Sequence, residues 1–149
     1  MKPSFLAIDI GAESGRAILG RIDDRLVLDE VHRFPNGPVR VGDHIYWDAL
    51  KLWSEIQNGL RVASEHGGGS LAGMGLDTWG VDFGLLDCKG RLLSNPVHYR
   101  DSRTEGIEKI IAQKLSDEAI YRLTGLRVGR VTTLSQLVAM RRAGGRGAF

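Results

Sequence analysis

Three short apolar segments lie close together near the N-terminus, and their spacing limits the possible folds more than any other feature of the chain. They span residues 5–10, 17–22 and 26–34. Short runs rich in Ile, Leu, Val and Phe favour β-strands. The connections are too short to hold a crossover helix, so the sequence predicts an antiparallel meander rather than the strand–helix–strand unit of a classical dinucleotide-binding fold.

A helical pattern follows the meander over residues 48–65. Its apolar residues recur at helical spacing, which predicts one buried apolar face. The residues assigned to that face are Leu50, Trp53, Ile56 (or Gln57), Leu60 and Ala63.

Further strands and helices complete the expected α/β pattern. Strands are predicted over residues 71–76 and 81–86, followed by a hairpin turn at 87–90 and a short return strand from residue 91. Three helices are predicted after residue 100: one from the stripe of Ile107, Ile110, Ile111 and Leu115, one over 117–123 between Ser116 and Gly125, and one over 133–142.

The composition argues against several classes of protein. The net charge is +2 over 149 residues, and no block of basic residues suggests a nucleic-acid partner. Cys88 is the single cysteine, which excludes an internal disulfide and a cysteine-based zinc site. The sequence shows neither a signal peptide nor a membrane span. We therefore expect a cytoplasmic protein with no membrane partner.

The segment from Asp9 to Arg16, DIGAESGR, carries the clearest chemical pattern. Gly11 and Gly15 allow a tight turn whose backbone N–H groups can approach phosphate oxygens. Ser14 adds a hydroxyl donor, Arg16 adds a forked cation, and Asp9 suits a hydrated Mg²⁺ ion. Neither GxxxxGK[ST] nor GxGxxG is present. A plain hairpin turn with a capping aspartate is the alternative interpretation.

Several segments resemble known proteins in the same order and spacing. Residues 9–16 resemble the first phosphate motif of the actin-like ATPase and sugar-kinase superfamily. Residues 30–36 (EVHRFPN), 75–83 (GLDTWGVDF) and 99–104 (YRDSRT) resemble the rhamnulokinases of the FGGY carbohydrate kinase family, and residues 132–137 are similar to a later family motif. The resemblance covers residues 5–140, nearly the whole chain.

The resemblance implies an actin-like, ribonuclease H-like domain with a mixed five-stranded sheet flanked by helices. The implied reaction is ATP-dependent phosphorylation of L-rhamnulose at its 1-hydroxyl, with ATP and Mg²⁺ as cofactors. Residues Ala12 to Arg16 would hold ATP, and Gly80 would lie against the sugar, with Thr78 and Trp79 nearby. Another sugar specificity within the family, or a non-catalytic actin-like fragment, remains open as an alternative.

The resemblance also implies that residues 1–149 are an N-terminal kinase domain truncated at its C-terminal end. The family's catalytic aspartate and most adenine contacts belong to a second domain, which this chain lacks. We therefore expect no catalytic base here and little or no turnover by the chain alone. The last residues, GGRGAF, have no family counterpart.

Some residues depart from the family pattern or have two interpretations. Glu13 stands where the family tends to carry a small residue, and its carboxylate would repel phosphate unless it points away or reaches the metal. Residues 131–132 (Val-Thr) also depart from the pattern. The carboxylates near the expected sugar cleft could accept hydrogen bonds from hydroxyls or could cap loops: Asp77, Asp82 and Asp101. Arg100 and Arg103 flank Asp101, where a structural ion pair is the alternative.

Overall fold

The structure is a computed structural model that describes residues 3–67 and 70–144. The chain divides into two compact units, Met1–Pro38 with Asp48–Gly80 and Val39–Trp47 with Val81–Phe149. We call them the first and the second unit. The expectation for the GGRGAF end concerns residues that lie outside the described ranges, apart from Gly144.

The elements follow in chain order: β1 Ser4–Ile10, β2 Ser14–Ile22, β3 Leu26–Pro35, β4 Pro38–Val41, β5 His44–Trp47, α1 Ala49–His66, β6 Gly73–Thr78, a 3₁₀ turn Ser102–Thr104, α2 Ile107–Ala112, α3 Asp117–Thr124 and α4 Thr133–Gly144. No helix in the described ranges is both long and apolar enough to cross a membrane.

The first unit contains a four-stranded mixed sheet in the order β3-β2-β1-β6. β1, β2 and β3 pair antiparallel, which confirms the predicted meander. β6 pairs parallel to β1 on its other side. The described residues thus place four strands in this sheet, where the resemblance implied five; a separate two-stranded sheet joins β4 and β5.

The core of the first unit lies between α1 and one face of this sheet. Leu6, Ile8 and Ile10 alternate with exposed or half-exposed residues along β1, so every second side chain is buried. The remaining buried members of the cluster are Ala17, Leu19, Phe34 and Ala63. Asp48 begins α1 by accepting a hydrogen bond from the Lys51 N–H.

The buried face of α1 differs from the prediction. Leu50, Trp53 and Leu60 are 71%, 59% and 40% exposed, so the prediction was wrong for them. The packed face instead runs through Gly59 and Ala63, with Leu52 and Ile56 against the core. A Cβ on Gly59 would lie 2.9 Å from the Ala17 Cβ. Because α1 approaches β2 this closely, the face with the smallest residue packs, rather than the face with the largest apolar residues.

The predicted strands at 81–86 and from 91 are also wrong. The described structure has one bridge there, between Leu86 and Leu92, and no ladder. The turn itself forms, because the Asp87 carboxylate accepts bonds from the Lys89 and Arg91 N–H groups. Upstream of the turn, the Val81 carbonyl accepts a hydrogen bond from the Gln136 side chain. This backbone acceptor therefore has a hydrogen-bond partner without a neighbouring strand.

The helices of the second unit form as predicted, apart from their ends. Ser116 and Gly125 cap α3, and Gly125 adopts a φ of 72°. The buried apolar cluster of this unit consists of Ile107, Ile111, Ile120 and Ala139. α2 ends at Ala112, which leaves Leu115, expected in its stripe, 41% exposed.

Candidate functional site

The predicted phosphate loop is the turn between β1 and β2. Asp9 lies near the end of β1, residues 11–13 form the turn, and Ser14 already begins β2. The Gly11 N–H donates to the Ser14 carbonyl over 2.9 Å and closes the turn. The residue after Ser14 is Gly15, and a Cβ there would lie 2.1 Å from the Cζ atom of the buried Phe34. Packing therefore requires glycine at position 15.

Strand register brings four charged residues to one end of the open sheet face. Asp9 lies opposite Arg16 on β2 and opposite Asp77 on β6, and Arg16 lies opposite Arg33 on β3. Side chains directly opposite each other point to the same face of a sheet. Ile8 and Ile10 are buried toward α1, so this charged group lies on the other face.

Both arginines are paired with carboxylates. The Arg16 Nε and Nη2 atoms lie 2.9 Å and 2.8 Å from the Asp9 Oδ2 atom. Arg33 forms a forked pair with Glu30 over 2.8 Å and 2.6 Å, and its Nη1 atom lies 3.4 Å from the Ser14 Oγ atom. The hydrogen bonds from Arg33 lower the pKa of Glu30, and the same pair raises the pKa of Arg33.

Arg33 is a candidate residue that the sequence reasoning missed. Its position on β3 matters only because the register places it beside Arg16 and within reach of Ser14. The alternation of side chains along the meander indicates which face of the sheet Arg33 occupies. It does not show which residue of β2 lies beside Arg33 unless the strand register is known. Asn36, which bonds the loop itself, was missed for the same reason.

The carboxylates at this edge fit a hydrated Mg²⁺ ion. Asp9 and Asp77 lie opposite each other on neighbouring parallel strands, which are about 4.8 Å apart in a sheet. Mg²⁺ prefers oxygen ligands and usually keeps several waters, so one or two carboxylates suffice. Within the described ranges, no group of three or more His, Cys, Asp or Glu residues could hold a metal by itself.

The predicted sugar segment continues from β6. Asp77 and Thr78 are exposed at the end of that strand. Trp79 is half-buried and packs against the core of the first unit, so its ring contributes to the packing of this unit. Gly80 is exposed, and a Cβ built there would meet nothing within 4 Å. Asp77, Thr78 and Gly80 are therefore the members of this segment that are accessible within the first unit.

Asp101 is a buried capping residue of the second unit, only 1% exposed. Its carboxylate accepts bonds from the Ile45 and Arg103 N–H groups over 2.8 Å and 3.0 Å and contacts the His44 Nδ1 atom at 3.1 Å. Burial alone would raise the pKa of Asp101, but these hydrogen bonds outweigh it and lower the pKa. No side-chain ion pair joins Asp101 to Arg100 or Arg103 among the described residues.

Asp82 and the two arginines also have structural contacts in the second unit. Asp82 accepts bonds from the Trp47 Nε1 atom over 2.5 Å and from the Gln136 Nε2 atom over 3.2 Å. The Arg103 Nη2 atom donates to the Gln136 Oε1 atom over 2.8 Å. The Arg100 guanidinium lies 5.3 Å from the centre of the Tyr99 ring. A sugar-binding role for Asp101 or Asp82 stays a prediction.

Comparison with known proteins gives consistent results for sequence and fold. Residues 4–143 match the N-terminal domain of the FGGY family of carbohydrate kinases. The chain is 45% identical over 143 residues to a rhamnulokinase of Bacteroides thetaiotaomicron and 42% identical over 140 residues to one of Mannheimia succiniciproducens. These matches cover 95% and 92% of the chain but 29% of each relative, so the chain spans less than a third of their length.

Solved structures confirm the predicted mixed α/β sugar-kinase fold. A gluconate kinase from Lactobacillus acidophilus superposes with a TM-score of 0.82 at 14% identity, covering 97% of this chain and 29% of that chain. A xylulose kinase from Rhodospirillum rubrum gives a TM-score of 0.79 at 20% identity, covering 93% and 29%. At such low identity these likenesses concern the fold alone.

Proposed function

Since the chain belongs to the FGGY family of carbohydrate kinases, we propose that it is the phosphate-binding part of a kinase that transfers the γ-phosphoryl group of ATP to the 1-hydroxyl of L-rhamnulose. The observation that carries the proposal is the turn between β1 and β2, flanked by Asp9, Arg16, Asp77 and Arg33. The choice of sugar is supported by the 38–45% identity to rhamnulokinases.

The proposed roles follow from the chemistry of each group. The backbone N–H groups of residues 11–15 and the Ser14 hydroxyl would donate hydrogen bonds to phosphate oxygens. Arg16 would exchange its bonds to Asp9 for bonds to phosphate, since both side chains are nearly half exposed. Asp9, with Asp77 beside it, would hold a hydrated Mg²⁺ ion, which neutralises charge on the phosphates when it is bound.

The proposed sugar contacts belong to the segment after β6. Asp77, Thr78 and Gly80 are exposed, so hydroxyl groups can reach them. Trp79 would support this segment from the core, and Asp101 is retained as a substrate-binding prediction. Catalysis of this type depends on positioning and charge neutralisation, with a carboxylate accepting the proton of the sugar hydroxyl. We propose that this carboxylate belongs to a second kinase domain outside the 149 residues.

The test is an assay of sugar-dependent ADP release. The assay begins by sequencing the source DNA beyond codon 149, so that the whole open reading frame can be expressed. With MgATP, we expect L-rhamnulose to be phosphorylated at least about tenfold faster than D-xylulose, D-gluconate or glycerol, because even one lost hydrogen bond of typical strength lowers a rate by up to about tenfold.

Each other outcome of this assay changes the proposal in a defined way. Faster turnover of another sugar would keep the kinase assignment and replace the substrate. ATP binding without a response to any sugar would favour the alternative of a non-catalytic, actin-like binding domain. The cytoplasmic location stays a prediction.

A further inference from the structure

Asn36, the residue directly after β3, forms hydrogen bonds with two carbonyl groups of the predicted phosphate loop. Its Nδ2 atom donates to the Gly11 carbonyl over 2.8 Å, although the two residues are 25 positions apart. Its backbone N–H donates to the Glu13 carbonyl over 2.9 Å. Its own side-chain oxygen accepts a bond from the Gly37 N–H over 2.9 Å, which fixes the orientation of the amide. The half-buried Asn36 therefore determines where two loop carbonyls point.

The orientation of these carbonyls decides the orientation of two donors. A trans peptide is planar, and its C=O and N–H bonds point to opposite sides. The Gly11 carbonyl shares its peptide group with the Ala12 N–H, and the Glu13 carbonyl shares its group with the Ser14 N–H. Because Asn36 holds both carbonyls, the Ala12 and Ser14 N–H groups point away from it.

The loop leaves the first of these donors available. The Ala12 N–H donates no hydrogen bond to any of the residues that the structure describes. A half-buried donor of this kind is expected to find a partner, either water or a ligand. Backbone N–H groups of one turn that point to the same side can form a concave anion site. The Ser14 hydroxyl, contacted by Arg33, adds a side-chain donor beside them.

We propose that Asn36 is a positioning residue for phosphate binding, which presents the Ala12 and Ser14 N–H groups to a phosphate oxyanion. This inference rests on the proposed function, because it requires that the loop binds a nucleotide phosphate. It goes further by assigning a role outside the glycine-rich segment, to a side chain that need not touch the ligand. Because these donors are already oriented before the anion binds, binding costs little conformational entropy at the loop.

The experiment uses the 149-residue chain, isotope-labelled for NMR, with MgATP and magnesium tripolyphosphate as probes. Tripolyphosphate tests the phosphate contacts without any adenine contact. In the unsubstituted chain, we expect the Ala12 and Ser14 amide signals to shift on titration with either probe. In Asn36→Ala, we expect the dissociation constant to rise about tenfold, the effect of one lost hydrogen bond of typical strength. The matched control is Asn58→Ala, an exposed asparagine on α1, which should leave the dissociation constant unchanged.

A second variant keeps the test decisive if Asn36→Ala fails to fold. Asn36→Asp retains the oxygen that accepts the Gly37 N–H, but it replaces the donor to the Gly11 carbonyl with an oxygen and adds a negative charge. Its weaker binding should persist at about 0.5 M salt, where repulsion from the added charge is screened.

The outcomes separate this inference from the proposed function. A dissociation constant that stays within about twofold of the unsubstituted value in both Asn36 variants would overturn the positioning role and leave nucleotide binding intact. If the unsubstituted chain shows no Ala12 or Ser14 shift with either probe, phosphate binding at this loop is overturned, and the role of Asn36 falls with it.

Discussion

At the scale of single residues, the predicted phosphate loop is flanked by two pairs of opposite charges. Arg16 bonds Asp9 and Arg33 bonds Glu30, and all four side chains are at least 40% exposed. Exposed ion pairs contribute little to stability because water and salt screen them. Under the proposed function, replacing these pairs with forked bonds from the guanidinium groups to a phosphate would therefore cost little free energy. The ion pairs would also hold the guanidinium groups near the loop before a phosphate binds.

Glu13 carries a negative charge and forms no ion pair with any residue that the structure describes. Its side chain is exposed, and its backbone carbonyl is held by Asn36. We expect Glu13→Gln to tighten MgATP binding about two- to fivefold at low salt, because two like charges near 4 Å repel even in water. NMR titration measures the dissociation constant, and Glu105→Gln, at an exposed site of the second unit, is the control. Equal or weaker MgATP binding in Glu13→Gln would show that the carboxylate points away from the phosphates or helps to hold the metal.

We expect His98 to make the stability of the second unit depend on pH. Its ring stacks on Trp47 and Tyr99 at centroid distances of 4.2 Å and 4.4 Å, and its Nδ1 atom accepts the Arg100 N–H over 3.0 Å. Burial lowers the pKa of His98, the Arg100 charge lowers it further, and Asp82 and Asp101 partly oppose this. A lowered pKa means that the unfolded chain takes up a proton first as pH falls below about 6.5.

The predicted result is a free energy of unfolding that decreases between pH 7.5 and 5.5, as urea titrations monitored by tryptophan fluorescence would measure it. His98→Asn keeps an acceptor for the Arg100 N–H but does not titrate, so we expect a flatter profile at a lower overall stability. His66→Asn, at an exposed position on α1, should keep the slope. An unchanged slope in His98→Asn would assign the pH dependence to another group.

At the scale of elements, a single substitution can test the close contact between α1 and β2. The helix passes over Ala17 at Gly59, where a Cβ would come within 2.9 Å of the Ala17 Cβ. Glycine normally weakens a helix interior by about 1 kcal/mol relative to alanine. Its presence here is explained by the close approach, which lets Ile56 and Ala63 pack against the sheet.

In Gly59→Ala, the higher helix propensity of alanine should stabilise α1, whereas the added methyl group should clash with Ala17. We expect the clash to have the larger effect on stability. The variant should unfold about 1–3 kcal/mol more easily, the usual effect of overfilling a packed site. Ala17→Gly in the same chain should restore most of the loss by removing the opposing methyl group. Chemical denaturation measures both, with Asn58→Ala as a neighbouring control in which propensity acts alone. A gain of stability in Gly59→Ala would contradict the close approach of helix and strand.

At the scale of the whole molecule, the proposed function separates the phosphate loop from the catalytic carboxylate, which we place outside the 149 residues. The chain spans about 29% of the length of its rhamnulokinase relatives. We expect the 149-residue chain alone to bind MgATP but to transfer no phosphoryl group to L-rhamnulose. A coupled assay of ADP release tests this. A rate near that of a full-length rhamnulokinase, assayed in parallel, would show that the 149 residues already include a functional catalytic base.

The sequence alone predicted the features that depend on neighbours within a few residues. These are the meander, the turn after β1, the start of α1 and the caps of α3. Local steric preferences and short hydrogen bonds determine such features, so they are visible in short segments. The family followed from the order and spacing of several motifs, and the match over residues 4–143 confirms it.

Tertiary structure alone decided which distant residues meet. Strand register placed Arg33 beside Arg16 and Asp77 beside Asp9, and it brought Asn36 to the Gly11 carbonyl. A shift of register by one residue would turn each strand side chain to the other face, and no periodicity in the sequence reports that register. The sequence also could not predict the packed face of α1. The spacing of large apolar residues favoured one face, but the helix packs through the face where its backbone can come closest to the sheet.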